Sequence, residues 1–133
     1  MQEILQPADW ARPKGYSNGI AIEGSGKMVF VAGQLGANAQ GQIESDDFGQ
    51  QIGQAFRNVV RVVQEAGGRP TDIVRMTWFI TDKAAYKSGG AAMAAAYKEI
   101  IGRHFPTITV IFVSGLVEDR AKVEIEATAF VNG

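Results

Sequence analysis

The chain has no cysteine, which excludes disulfides, thiolate metal sites and cysteine nucleophiles together. It has one histidine, His104, so a two-histidine metal site is out of reach and any ligand set would have to be built from carboxylates. Neither a metal nor a cofactor is expected. No Gly-rich strand-to-helix phosphate loop occurs; Gly24-Ser25-Gly26 lies between two apolar runs, where a turn accounts for it. Charge of one sign is never in excess, because 13 Lys and Arg face 14 Asp and Glu for a net −1. With no basic run either, nucleic acid and anionic membrane surfaces are not expected partners. Long apolar runs are missing too. No window reaches the roughly 18 residues of a membrane span, and Met1 to Trp10 has neither the basic start nor the apolar stretch of a signal peptide. These absences together predict a cytoplasmic protein.

What the chain does have is apolar content: 46% of its 133 residues are hydrophobic, enough to bury one core without staples. One domain over residues 1–133 is expected, with residues 1–14 as an irregular N-terminal arm in which Pro7 and Pro13 fix φ. Gly19 to Glu23 and Lys27 to Gln34, joined by Gly24-Ser25-Gly26, read as a β-hairpin. From Asp47 the period becomes helical, with Ile52, Phe56, Val59, Val60 and Val63 on one face. Ser45 or Asp46 can cap that helix, and Gly67-Gly68 stops it. Ile73 to Thr81 is a strand by its β-branched and aromatic content. Ala84 to Gly102 reads as a second helix, interrupted near its start by Gly89-Gly90. Two strands follow, near Ile108 to Val113 and Ala121 to Val131. The order is β-β-α-β-α-β-β, an α+β domain whose two helices cover one face of a mixed sheet. The other face is left to be buried elsewhere, which predicts an oligomer.

The last strand carries the sharpest local signal. Val123-Glu124-Ile125-Glu126-Ala127 alternates apolar and acidic residues, so Glu124 and Glu126 share the face opposite the core. A carboxylate pair at that position is either solvated or functional. The serines have no adjacent base, and His104 beside Phe105-Pro106 reads as a helix-end residue.

Several pieces, in order and at matching spacing, resemble the reactive-intermediate deaminase family, also called the RidA or YjgF family. They are Gly15-Tyr16-Ser17, Val31-Ala32-Gly33-Gln34, Gln51-Ile52-Gly53-Gln54 with Asn58, and Glu65-Ala66-Gly67. Thr77 to Asp82, Tyr97-Lys98-Glu99 through Phe105-Pro106, and Val123 to Ala127 continue the match to the end. The resemblance implies a chorismate-mutase-like α+β fold, a homotrimer with three inter-subunit clefts, and hydrolysis of enamines or imines to a carbonyl compound and ammonia. It also implies roles: Glu124 positions or activates the water and Tyr16 lines the cleft. Backbone near Gly33, Thr109 and Val110 holds the substrate's nitrogen and carboxylate. Glu126 is assigned a structural place.

One departure stands out. The deaminating members read Pro-Ala-Arg-Ser or Pro-Ala-Arg-Thr, and their arginine forks onto the substrate carboxylate. This chain reads Pro106-Thr107-Ile108-Thr109, with Ile108 where the arginine should be. A charge-assisted bond lost there costs about 1.5–3 kcal/mol, so 2-aminoacrylate is not the expected substrate. A flatter diacid enamine of the 2-aminomuconate kind is one candidate. Thr107 and Thr109 either follow strand propensity or lend hydroxyls to the missing donor set. Arg12, Lys14, Arg103 and Arg120 are either solvated or positioned across a subunit boundary to anchor an acid. The alternative function is a non-catalytic homotrimer that binds a small organic acid or a protein partner in the same clefts.

Overall fold

Asp47 opens the longest helix of the computed structural model, which describes residues 1–133. Its backbone is extended and its side chain accepts the Gln50 N–H at 2.9 Å, while its own N–H donates to Ser45 Oγ at 3.0 Å. The cap is therefore Asp47 rather than Ser45 or Asp46, because only Asp47 has its carboxylate over the free N–H groups of the first turn. Helix α1 (Phe48–Glu65) then buries Ile52, Ala55, Phe56, Val59 and Val63 completely, the stripe that its 3.6-residue period predicts. It ends where Gly67, at φ +81°, and Gly68 turn their N–H groups back onto Gln64 and Val63 carbonyls.

That stripe packs on a four-stranded sheet ordered β3 (Gly26–Leu35), β6 (Val123–Asn132), β4 (Ile73–Ile80) and β5 (Thr107–Phe112). Only β4 and β5 run parallel, so the sheet is mixed, as expected. Alternation along β4 and β6 sends Met76, Trp78, Ile80, Val123, Ile125 and Ala129 into the helix-covered core. The opposite face stays open, with Phe30 72% and Met28 59% exposed. The architecture is the α+β fold expected from the sequence.

Three further local expectations are corrected. The N-terminal arm is not irregular throughout: Gln2–Leu5 forms β1, antiparallel to β2 (Gly19–Ile22). The hairpin does not form, because β2 pairs with β1 while β3 pairs with β6. A glycine loop permits a hairpin without requiring it, and the ten-residue alternating β6 offers β3 a longer partner than the four residues of β2. The second helix is two: α2 (Lys83–Ser88), capped by Asp82, and α3 (Gly90–Ile100). Gly89 closes one and opens the other, and a Cβ there would stand 2.8 Å from the Ala85 carbonyl oxygen. A short 3-10 turn, Pro70–Asp72, also precedes β4. No helix is long and apolar enough to cross a membrane.

Two polar residues of α1 fasten the loops around this core. Buried Gln51 donates to the Ser45 and Arg120 carbonyls and accepts the Lys122 N–H, and Asn58 donates to the carbonyls of Leu35 and Ala37. Such amides satisfy backbone groups that the loops would otherwise bury unpaired.

Candidate functional site

Glu124 stands on the open face of β6, opposite Leu35 of β3 and Phe79 of β4. Beside it the β3 register slips between Val31 and Gln34, a bulge that contains Gly33. A Cβ on Gly33 would lie 2.6 Å from Glu124 Cδ and 2.9 Å from its Oε1. The glycine is therefore the space that the carboxylate occupies.

Thr109 shares this face, exposed and level with Thr77, which in turn faces Glu126 across β4 and β6. Glu126 is exposed and takes part in neither of the chain's two ion pairs. Thr107 Oγ1 donates to the Val74 carbonyl at 2.9 Å, where the β4 register shifts. Of the two threonine hydroxyls considered as replacement donors, this one already has its proton committed.

Ile108 and Val110 point the other way, level with Met76 and Trp78 on the helix-covered side. They line a cavity of about 630 Å³ at the β5 edge, together with Tyr16, Trp78, Tyr97 and Phe105. Tyr16 reaches it because Gly15, at φ +82°, turns the chain and Ser17 ties it down. Ser17 donates its N–H to the Pro106 carbonyl at 3.0 Å and its hydroxyl to the Phe105 carbonyl at 2.5 Å. The Tyr97 ring stacks on Phe105, with centroids 5.9 Å apart and planes 4° from parallel. Burial pushes the Tyr97 phenol above the ordinary tyrosine range, and it donates to the His104 carbonyl at 2.6 Å. Tyr97 is thus a fixed donor, with its proton held in place. His104 Nε2 lies 2.6 Å from the Ile73 carbonyl, so that nitrogen carries the hydrogen and the lone histidine acts as a loop latch. Trp78 Nε1 is buried with no acceptor in the chain; its indole is boxed by Phe56 and Tyr97 at centroid distances of 5.3 and 6.3 Å.

Three cations, Lys14, Lys98 and Arg103, line the same cavity, and no carboxylate does. Lys14 and Arg103 thus lie at the cavity that Ile108 and Val110 of the same chain line. Arg120 is engaged elsewhere, with Asp46 at 3.0 Å and the Ile43 carbonyl at 2.7 Å. Lys98 escaped the sequence reading as a site residue. Its only signal was its place one residue after Tyr97 in a matching segment, and a helical lysine is ordinarily solvated.

Within one chain the predicted site residues fall into two groups. Glu124, Gly33 and Thr109 share the open face, whereas Tyr16, Ile108 and Val110 share the helix-side cavity. The sheet separates them.

Residues 9–131 match the family model described as Endoribonuclease L-PSP. The chain belongs to that family, the RidA/YjgF proteins. A crystal structure of the conserved Rid protein YyfB from Yersinia pestis, whose function is unknown, superposes with a TM-score of 0.85 at 27% identity, covering 98% of both chains. The 2-iminobutanoate/2-iminopropanoate deaminase of Salmonella typhimurium is 32% identical over 86% of this chain and 85% of its own. TdcF of E. coli, crystallised with bound serine, is 32% identical with a TM-score of 0.67, covering 98% of this chain and 99% of its own. The RidA/YjgF fold expected from the sequence is the fold observed.

Proposed function

We propose that this RidA/YjgF protein hydrolyses an enamine or imine to a carbonyl compound and ammonia, working as a homotrimer whose clefts join the two groups of site residues. The observation that carries the reading is Glu124, seated in the space that Gly33 leaves open. The iminobutanoate/iminopropanoate deaminase among the relatives supports the reaction class. The enamine first tautomerises to the imine. Water then adds its oxygen to the imine carbon while Glu124 takes a water proton and returns it to the nitrogen. Glu124 then carries the carbinolamine's hydroxyl proton to the amino nitrogen as the C–N bond breaks and the C=O bond forms, leaving the carbonyl compound and ammonia. Tyr16 and Val110 line the substrate's side of the cleft, with backbone near Gly33 and Thr109 toward nitrogen and carboxylate. Orientation and one proton-transferring group suffice, because imines already hydrolyse in water.

The trimer supplies what one chain lacks. Glu124 and Tyr16 lie on different faces of one sheet, and the open face exposes Phe30, Met28 and Ile111, apolar area that a second copy would cover. Ile108 removes the arginine that would grip a small 2-imino acid, so 2-aminoacrylate is not the main substrate and a 2-aminomuconate-like diacid fits better. An RNA-cleaving role is not favoured: the only histidine is tied to Ile73, and the net charge is −1.

Ammonia release from conjugated enamines by wild type and Glu124→Gln tests the reading, and equal rates would remove the role of Glu124. The same Ile108 favours a second reading, a non-catalytic homotrimer that holds a small acid in these clefts. Ligand-induced thermal stabilisation without turnover of the corresponding enamine would select it.

A further inference from the structure

We infer that the helix-side cavity takes an organic anion with a flat, ring-sized apolar body, its carboxylate held at the mouth by Lys98 and Arg103 with Lys14 beside them. The inference deepens the proposed deamination by naming the class of acid that its substrate side accepts.

Three observations carry it. The cavity, at about 630 Å³, lies in the range of drug-sized ligands, whereas an acid of three or four carbons would leave most of it empty. Its walls suit a flat body: Tyr97 and Phe105 already stack in parallel, and Trp78, Ile108 and Val110 offer no charge. Within one chain its charge has one sign only. Lys14, Lys98 and Arg103 are all exposed, and no Asp or Glu lines the cavity to neutralise them. Because Ile108 and Val110 are half-buried on the β5 strand and the cations are exposed, the apolar part of a ligand belongs inside and its carboxylate outside. The anchor is thus displaced from the strand position of Ile108 to the end of α3 and the loop after it. A short 2-imino acid, whose carboxylate adjoins the reacting carbon, cannot use that anchor. A longer acid, with several planar atoms between the two, can.

Calorimetric titration of the full-length protein with trans-cinnamate, pyruvate and neutral cinnamamide tests this without requiring turnover. The expected result is cinnamate binding about tenfold or more tighter than pyruvate, the factor that burying a ring-sized apolar body provides. Lys98→Met with Arg103→Met should weaken cinnamate about tenfold, the loss of one charge-assisted contact. Both residues are exposed, so an unchanged thermal midpoint verifies that the fold is intact, and the single variants repeat the test if it is not. Pyruvate binding as tightly as cinnamate, cinnamamide equalling cinnamate, or a double variant without effect would each overturn the inference. Cinnamate binding with no ammonia released from any enamine would sink the deamination while leaving the acid cavity standing; ammonia release with no cinnamate binding would do the reverse.

Discussion

The two sides of the sheet near β5 and β6 are built on different terms. On the open side one carboxylate occupies a gap left by a glycine in a bulge, and Gly33→Ala would move the end of Glu124 by contact alone. On the helix side a large apolar cavity is walled by aromatic rings and edged with cations, and the strand position that could carry a charge holds Ile108. The first arrangement fixes one group closely and leaves little room for variation. The second fixes a shape and a sign, and many side chains can supply them. In the proposed deamination the first arrangement handles the water and the second selects the substrate.

Substitutions on each side should separate these terms. Glu124→Gln is expected to lower kcat by about a hundredfold or more, the contribution of a positioned acid or base, with the thermal midpoint unchanged. Ile108→Arg acts on the other side: affinity for pyruvate should rise about tenfold through a new charge-assisted contact. Cinnamate affinity should fall as the longer side chain fills the cavity. That variant should also lose about 1–3 kcal/mol of stability in urea unfolding, since Ile108 packs against the core.

Gly33→Ala should reduce kcat by about tenfold, as a small displacement of a catalytic group does, with little loss of stability because the clash falls on the flexible end of a glutamate. Ser17→Ala removes the hydroxyl bond to the Phe105 carbonyl and should cost about 1 kcal/mol. Its kinetic effect should fall on KM, through Tyr16, and leave kcat almost untouched. The smallest effect concerns Tyr97, whose pKa is higher folded than unfolded. Its contribution to stability is complete below the unfolded value of about 10 and is lost as pH rises toward the folded one. Between about pH 9 and pH 11, wild type should therefore lose about 1 kcal/mol more than Tyr97→Phe in urea unfolding.

The sequence was most legible where a single period dominates. Ile52, Phe56, Val59 and Val63 repeat at helical spacing and Glu124 alternates with core residues, so α1 and the orientation of Glu124 follow from the chain alone. Pairing was less legible. Gly24-Ser25-Gly26 suits a hairpin, but strand partners are chosen by competition across the whole chain, and β6 outcompeted β2 for β3. The join at Gly89 was only half visible, since two adjacent glycines mark a weak point without saying whether a helix bends or breaks. The proximity of Gly33 to Glu124 depends on a bulge, which periodicity does not announce. Lys98 was hidden because it differs in no local way from a solvated charge, and Lys14 and Arg103 could be named only beside Arg12 and Arg120; the fold alone turns three cations toward one cavity.

The central claim is that Glu124 of one subunit works with Tyr16 of another, and active-site complementation tests it most directly. Glu124→Gln and Tyr16→Ala proteins are dissociated, mixed in equal amounts and reassembled, and ammonia release is measured at a substrate concentration low enough that each parent alone is nearly inactive. If the halves come from neighbouring copies, random assembly restores about a quarter of the sites, because each cleft then draws its two residues from independent chains. A mixture no more active than the mean of its parents would place both residues of a working site in one chain and contradict the account.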